Sequence, residues 1–339
     1  MSRRQRKNAR TGIRRLGLMI MIVSALAAVL GGCAVSYTNT PLPSPSQPST
    51  APTPSPSGSS SSPAPAPCTN ATASYAPSGR QPGAGGMPNG STMAAIAKRG
   101  RLIAGVSADT FLLGSRNPID GRIEGFDIDM VNMIAASIFG TATGHVELRV
   151  ITASDRIPVL AKHQVDVVVR AFSITCDRWK QIAFSSEYYH AGQKLMVAKS
   201  SPIKSYHDLA GKRVCAPLGT STITQITKLA PTAKIVGAAT HTGCLVLFQQ
   251  GKVDVITGDD TVLAGLAAQD PYAQVVAGRA FTVEPYGIGI APDQTDFVRF
   301  VNGALQKMRS DGQWTASYNR WLASSLGKAP APPVAVYGR

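Results

Sequence analysis

Cysteines are the residues of this 339-residue chain with the most definite chemistry, and there are five of them. Cys33 directly follows Leu30-Gly31-Gly32 at the end of an apolar run over 16–30, and seven basic residues precede that run. A basic segment followed by a short apolar core is typical of a secretory signal, and small residues before a cysteine are typical of a bacterial lipobox. We therefore expect 1–32 to be a lipoprotein signal peptide and the Cys33 thiol to receive a diacylglycerol thioether. An ordinary signal with a chance cysteine is the alternative, and Arg14-Arg15 leaves the export route, general secretory or twin-arginine, open.

The other four cysteines indicate disulfides, because an even number in an exported chain suits an oxidising compartment. Four cysteines allow three pairings. Cys215–Cys244 is favoured because the two residues are close in sequence and would lie in one subdomain, and this pairing leaves Cys68–Cys176.

No pattern of residues is typical of a metal or catalytic site. There is no Cys-x-x-Cys pair, the five histidines lack ligand spacing, and no Gly-x-x-x-x-Gly-Lys loop occurs. We therefore expect no metal, no cofactor and no catalysis.

The net charge of +15 is unevenly distributed along the chain. Seven of the 34 Lys and Arg residues precede residue 16, so the rest of the chain carries 27 basic against 19 acidic residues. This mild excess suits a protein that works near anionic lipid. Nucleic acid is not expected as a partner, because the basic segment is removed with the signal and no interleaving of aromatic and basic residues remains.

Residues 33–90 read as a lipid-anchored tether. Ten Pro, nine Ser and two Thr fall within 41–67, and no charged residue lies between Cys33 and Arg80. Such a composition buries too little apolar surface to offset its ordering entropy, so a disordered, extended spacer is expected. The folded part would then stand at the outer face of the cytoplasmic membrane.

Short apolar runs alternate with helical patterns from residue 92 onward, which predicts an α/β fold with doubly wound sheets flanked by helices. The alternation restarts after residue 198, which suggests two lobes of about 100 residues each. Ligand sites in such sheets lie at the carboxyl ends of strands. The predicted strands are 101–106, 146–151, 165–171, 193–198, 212–216, 234–236, 253–257 and 286–291.

Seven motifs occur in order between residues 92 and 325. Together they resemble the polar amino-acid-binding proteins of ABC importers, family 3 of the bacterial extracellular solute-binding proteins. The cysteines and the Pro-rich tether are similar to those of actinobacterial glutamine/glutamate/aspartate-binding lipoproteins. The motifs are Gly125-Phe126-Asp127-x-Asp129, Ser173-Ile174-Thr175-x-x-Arg178, Phe184-Ser185, Asp208-Leu209-x-Gly211-Lys212, Gly251-x-Val253-Asp254, Glu284-Pro285-Tyr286-Gly287-Ile288 and Asp311-Gly312-x-Trp314.

The resemblance implies a monomeric, two-lobed clamshell of the periplasmic-binding-protein type II fold, which closes on its ligand. The first lobe would comprise 92–196 and 288–325, the second 197–287, and 326–339 would be a Pro-rich tail without order. Crossing strands near Met196–Lys199 and Tyr286–Ile290 would form the hinge. The implied partner is an ABC permease. An amino-acid sensor that reports to a membrane partner and a kinase pathway is the alternative, and a dehydratase of this fold is a remote one because no catalytic set is evident.

The resemblance also implies residues for the two charged groups of an amino acid. Arg178 lies where the family's arginine holds the α-carboxylate as a bidentate partner, which Lys would not match. Ser173 would add a hydroxyl and Ala171 a carbonyl for the ammonium. Asp259 matches the family's ammonium-binding aspartate and is preferred for that role, whereas Asp260 beside it could instead cap the next helix.

Three further residues are candidate ligand contacts. The Thr220 and Ser221 amides and hydroxyls would meet the carboxylate or cap the helix that follows. Phe111 would cover the ligand's aliphatic part or belong to the core.

Two arginines are candidate partners for the ligand's side chain. Arg170 ends a strand whose other residues are mostly valine, and with Arg116 it could neutralise a side-chain carboxylate. The sequence therefore favours glutamate or aspartate, with glutamine and asparagine tolerated, unless Arg170 pairs with a carboxylate of the protein.

Overall fold

The computed structural model describes residues 68–339. The predicted signal peptide, the lipidation of Cys33 and the first part of the tether lie outside the described residues. Within 68–339, no helix is both long and apolar enough to cross a membrane. The same residues contain no group of three or more His, Cys, Asp or Glu side chains placed to hold a metal ion.

Strands and helices alternate along most of the described chain. The strands are β1 Ala73–Ser74, β2 Leu102–Val106, β3 Asp109–Thr110, β4 Gly114–Arg116, β5 Ile123–Glu124, β6 Val146–Val150, β7 Val167–Val168, β8 Ala183–Phe184, β9 Tyr189–Ala198, β10 Arg213–Pro217, β11 Lys234–Ala238, β12 Val255–Asp259, β13 Ala273–Val275, β14 Thr282–Tyr286, β15 Gly289–Ile290 and β16 Val336–Tyr337. The helices are α1 Thr92–Arg99, α2 Phe126–Phe139, α3 Arg156–Ala161, α4 Cys176–Trp179, α5 Ser221–Leu229, α6 His241–Gln249, α7 Asp260–Ala267, α8 Thr295–Ser310, α9 Gln313–Trp321 and α10 Ala323–Leu326, with a 3-10 turn at Tyr206–Leu209.

The first lobe is a five-stranded sheet in the order β6-β2-β7-β15-β8. β2 is parallel to both neighbours, and all five of its residues are buried, as its apolar sequence predicts. α2, α8 and α9 pack on this sheet through a core that includes Phe126, Phe297 and Trp314. Gly125 allows α2 to begin here, because a Cβ at this residue would fall 2.3 Å from the Leu113 carbonyl oxygen.

The second lobe is a six-stranded sheet in the order β11-β10-β12-β9-β13, with β14 also paired to β9. The disulfide Cys215–Cys244 joins β10 to α6 inside the core of this lobe. Cys68–Cys176 is the other disulfide, so the favoured pairing is confirmed.

The chain passes between the two sheets at 185–188 and at 287–288, since β8 and β15 belong to the first sheet and β9 and β14 to the second. Met196–Lys199, where the sequence analysis put one hinge strand, lies at the far end of β9. β9 starts earlier because Tyr189 and Ala191 are buried and pair with β14, a strand that the sequence pattern did not separate from β15. In the structure, the chain therefore passes from the first sheet to the second before β9 begins, and not at Met196–Lys199.

The terminal segments pack on the first lobe. β1 and β16 form a parallel pair, and Ser74 Oγ donates to the Phe184 carbonyl. The Trp179 indole donates to the Ala71 carbonyl, and the Arg339 guanidinium lies 4.0 Å from the centre of that indole. The tether was expected to extend to residue 90 and the tail to lack order, but 68–90 and 326–339 belong to the folded body. Composition could not reveal this, because the order comes from long-range partners.

Candidate functional site

A small cavity lies between the two lobes, at the carboxyl ends of their strands. Its lining includes Arg170 and Ala171 after β7, Thr220 after β10 and Asp259 at the end of β12. The cavity volume is about 20 Å³, which is room for about one water molecule. An amino acid can therefore enter only when the lobes separate.

Asp259 supplies the cavity with a free carboxylate oxygen. Its Oδ2 accepts a hydrogen bond from Tyr286 Oη at 2.7 Å, while its buried Oδ1 has no partner. Burial raises the pKa of Asp259 well above its usual value, and the nearby charge of Glu284 adds to the effect. A cation placed against Oδ1 would supply the missing partner.

Arg156 is a buried cation beside the cavity, 3% exposed, that makes four hydrogen bonds to backbone carbonyls. One of these reaches the second lobe, where Nη2 donates to the Gly219 carbonyl at 2.9 Å. Its guanidinium also lies 4.3 Å from the centre of the Phe172 ring. Burial and then the charges of Arg178 and Arg170 lower the pKa of Arg156. No carboxylate of the described residues forms an ion pair with it.

Arg178 lies next to the cavity rather than in its lining. Nη1 donates to the Ser173 carbonyl at 2.6 Å and Nη2 to the Gly219 carbonyl at 3.3 Å. Burial lowers the pKa of Arg178 to about 10, against the opposing charges of Glu284 and Asp259. The guanidinium thus bridges the lobes through carbonyl groups, which a ligand carboxylate would have to replace.

Two serine hydroxyls meet between the lobes. Ser173 Oγ of the first lobe and Ser221 Oγ of the second are 3.0 Å apart. Ser221 Oγ also donates to Glu284 Oε2 at 2.5 Å. Because the Ser221 hydroxyl has one proton and donates it to Glu284, Ser221 Oγ accepts from Ser173 Oγ.

Arg170 has no ion-pair partner within 4.0 Å among the described residues, and its buried Nε makes no hydrogen bond. Burial lowers its pKa, whereas the charges of Asp109, Asp127 and Asp155 raise it. Asp127 accepts hydrogen bonds from the Ala171 amide and Tyr188 Oη, and burial raises the pKa of Asp127 to about 6. The alternative that Arg170 is occupied by a direct protein ion pair therefore finds no contact to support it.

The structure brings most of the predicted residues together but leaves two outside. Arg116 is exposed, and its Nη1 donates to Gly121 within its own loop. Phe111 is 43% exposed and packs near Gly265. Neither residue lines the cavity. Both lie in the β3–β5 hairpins, which the sequence pattern did not predict, so their side-chain directions could not be inferred.

Two predicted residues have partners within the protein. The Thr220 hydroxyl accepts from the Ile223 amide, so it caps α5, and it donates to the Pro217 carbonyl. The Ala171 carbonyl accepts from Arg156 Nη1 at 3.0 Å, which leaves one of its two lone pairs. Asp260 accepts from the Thr261 amide and does not line the cavity, which favours Asp259 over its neighbour.

Sequence reasoning missed three polar residues of the site. Arg156 begins the otherwise apolar Ile157–Leu160 turn, and an isolated arginine there was a usable signal. His241 lines the cavity, and Glu284 is buried beside Arg178 and Ser221. Glu284 lies in one of the seven motifs, which was a usable signal, whereas no local pattern distinguishes His241.

The comparison with known proteins agrees with this two-lobed arrangement. The family model for bacterial extracellular solute-binding proteins, family 3, matches residues 102–324. The chain belongs to this family. Family 3 consists of solute-binding proteins, not enzymes.

Individual relatives cover most of the folded body. The ABC transporter glutamine-binding protein GlnH of Bacillus subtilis is 36% identical over 232 residues, which are 68% of this chain and 84% of that protein. The glutamate-binding protein GluB of Corynebacterium efficiens is 30% identical over 254 residues, 72% of this chain and 85% of that protein. The crystal structure of the P235GK mutant of ArgBP from T. maritima has a TM-score of 0.63 at 28% identity, and covers 68% of this chain and 99% of that one.

Proposed function

We propose that this family 3 protein captures a polar L-amino acid for an ABC importer, by closure of the two lobes around it. The ligands that we propose are glutamate and aspartate, with glutamine and asparagine as weaker ones. The proposal also places the protein at the outer face of the cytoplasmic membrane, held by a lipid on Cys33.

The observation that carries the proposal is the presence of unpartnered polar atoms of opposite character in one inter-lobe cavity. Asp259 Oδ1 is an acceptor without a donor, and Arg170 Nε is a donor without an acceptor. Buried polar atoms are rarely left unpaired unless a ligand or water completes them. A zwitterion with a polar side chain supplies both missing partners.

The two ends of the amino acid would bind to different groups. The ammonium would contact Asp259 Oδ1, and the Ala171 carbonyl has a lone pair left for it. The α-carboxylate would contact Arg178, Ser173 and Ser221, whose donors already converge between the lobes. The α-carboxylate thus replaces carbonyl acceptors that Arg178 uses in the present arrangement.

The preference for an acidic side chain rests on charge. Three buried guanidinium groups, Arg156, Arg170 and Arg178, surround the cavity without ion pairs. In a low-dielectric site, such cations favour a ligand that brings more than one carboxylate. The relatives named as glutamine-binding and glutamate-binding support both ligand types.

Closure is supported by the contacts between the lobes. Ligand binding shifts the population toward the closed form, because only there can one ligand contact both lobes at once. A permease that recognises the closed form would then receive only loaded protein.

A thermal-shift screen of the full chain against the twenty amino acids tests the proposal. A ligand at 100 times its Kd adds about 2.7 kcal/mol of stability, which moves the midpoint by about 5 to 10 °C for a body of this size. Shifts with glutamate and aspartate are expected, and smaller ones with glutamine and asparagine. Shifts with the amides alone would overturn the ligand preference, and no shift with any amino acid would overturn the ligand class.

A further inference from the structure

We propose that His241 contacts the far end of the ligand's side chain beside Arg170, and that its protonation selects between a side-chain carboxylate and a side-chain amide. This inference rests on the proposed amino-acid site and adds the group that distinguishes the two kinds of ligand. It makes ligand preference depend on pH.

The position of His241 is fixed at the seam between the lobes. It is the first residue of α6, whose preceding Thr240 caps the helix by accepting from the Gly243 amide. The next residue, Thr242, donates through Oγ1 to the Asp109 carbonyl of the first lobe at 2.8 Å. The start of α6 is therefore held against the opposite lobe.

The imidazole has a buried ring nitrogen without a hydrogen-bond partner. Nε2 is buried and makes no hydrogen bond, and His241 lines the cavity. The Nε2 corner of the ring packs closely against the backbone before Asp259, since a Cβ on Gly258 would fall 2.5 Å from Nε2. The ring thus cannot turn away without losing this packing.

Arg170 faces the same cavity from the first lobe with its own unpartnered Nε. The two serines proposed for the α-carboxylate line the same cavity and already hydrogen-bond to each other, and Arg178 donates to the Ser173 carbonyl. Arg170 Nε and His241 Nε2 therefore remain to bind a different polar group of the ligand, the end of its side chain.

The two atoms suit an amide and a carboxylate differently. Arg170 donates to an oxygen in either case. A neutral imidazole that accepts at Nε2 complements the N–H of an amide, whereas a protonated imidazole donates and complements a second carboxylate oxygen. The protonation state of one residue therefore changes which ligand is matched.

Several charged groups face His241. Burial and the cations Arg170 and Arg156 lower its pKa to about 4, against the opposing effects of the Thr257 backbone and Asp109. The N-terminus of α6 also disfavours a cation. Asp127 and Asp259 are the remaining carboxylates that line the cavity, and they are present with either ligand.

A bound glutamate raises the pKa of His241, because its carboxylate favours the imidazolium, while glutamine does not. Glutamate binding is therefore coupled to proton uptake by His241. As pH falls, the affinity for glutamate rises relative to the affinity for glutamine. A carboxylate within 4–6 Å moves a pKa by about 1 to 3. A shift of about 2 would increase the ratio of glutamate to glutamine affinity by about tenfold between pH 8 and pH 5.

The test is calorimetric titration of the full chain with glutamate and with glutamine at pH 8, 6.5 and 5. The ratio of the two Kd values cancels every group that titrates equally with both ligands, Asp259 among them. His241→Gln keeps a polar atom near Nε2 but does not titrate, so its ratio is expected to stay constant. His207→Gln, at an exposed histidine of the same lobe, is expected to keep the wild-type slope.

Proton NMR of the histidine rings gives a second measurement that needs no variant. The His241 titration is expected to move to higher pH in the glutamate complex and to stay near its ligand-free position in the glutamine complex. A ratio that does not change with pH, an unmoved His241 titration, or a His241→Gln variant with the wild-type slope would overturn the inference while leaving the amino-acid site intact. Absence of binding by either ligand would overturn the proposed function itself.

Discussion

Replacement of Asp259 by Asn is expected to have opposite effects on the ligand-free protein and on ligand binding. The ligand-free protein should become more stable, because the raised pKa of Asp259 means that folding works against an ionised, desolvated carboxylate. Asn keeps an acceptor for Tyr286 Oη and removes the charge. This gain is complete above the pKa of the folded state, shrinks as pH falls below that value, and is lost only at the ordinary carboxyl pKa of the unfolded chain.

Ligand affinity should fall in the same variant. Removal of one partner of a buried charge pair costs about 3 to 5 kcal/mol, and because Asn still accepts a hydrogen bond we expect the lower limit, a loss of about 100-fold. At a ligand concentration of 100 wild-type Kd values, the stabilisation would drop from about 2.7 to about 0.4 kcal/mol. The thermal shift would then shrink to about 1 °C.

Differential scanning fluorimetry with and without glutamate measures both effects in one experiment. Asp254→Asn is the matched control, since Asp254 directly precedes β12, lies outside the cavity and pairs with Arg213 at 2.5 Å. That variant should lose about 1 kcal/mol or less of stability and keep the full ligand shift. A full ligand shift in Asp259→Asn would refute the assignment of the ammonium to this carboxylate, and a less stable ligand-free variant would refute the electrostatic argument.

Three further variants test the other parts of the site, each by calorimetry against glutamate and glutamine. Arg178→Lys should weaken both ligands by about 10- to 100-fold, because a single ammonium replaces a forked donor, and an unchanged affinity would contradict its proposed role. Arg170→Ala should weaken glutamate more than glutamine, and equal losses would exclude a contact with the side chain. Gly219→Ala should weaken both ligands, since its Cβ would fall 2.8 Å from Ser154 Cα of the opposite lobe and so oppose closure, and an unchanged affinity would contradict closure at this contact. Gly211→Ala, with a similar φ of +70° and open space around it, should lose stability alone.

The regular elements could be predicted from the sequence, because they depend on local patterns. The apolar run of β2 appears in the structure within one residue of its predicted bounds. Strands without an apolar run of their own, such as β3 and β14, were missed. Their position depends on pairing with distant partners, which a single sequence does not record.

The residues of the candidate site also fall into those that could be predicted from the sequence and those that could not. Residues at strand ends, such as Asp259 and Arg170, could be predicted because parallel strands deliver their carboxyl ends to one edge of a sheet. Arg116 and Phe111 could not be placed, since the hairpins that carry them determine where their side chains point. His241 and Arg156 were missed because neither lies in a motif that resembles those of the family.

The sequence by itself determined the α/β class, the two lobes, the disulfide cysteines and most of the charged residues at the strand ends. The tertiary structure decided which atoms of those residues are left without partners. Asp259 Oδ1, Arg170 Nε and His241 Nε2 are unpaired only because two lobes from separate parts of the chain bury them together. Burial and pairing depend on the packing of residues far apart in sequence, and local patterns cannot encode them.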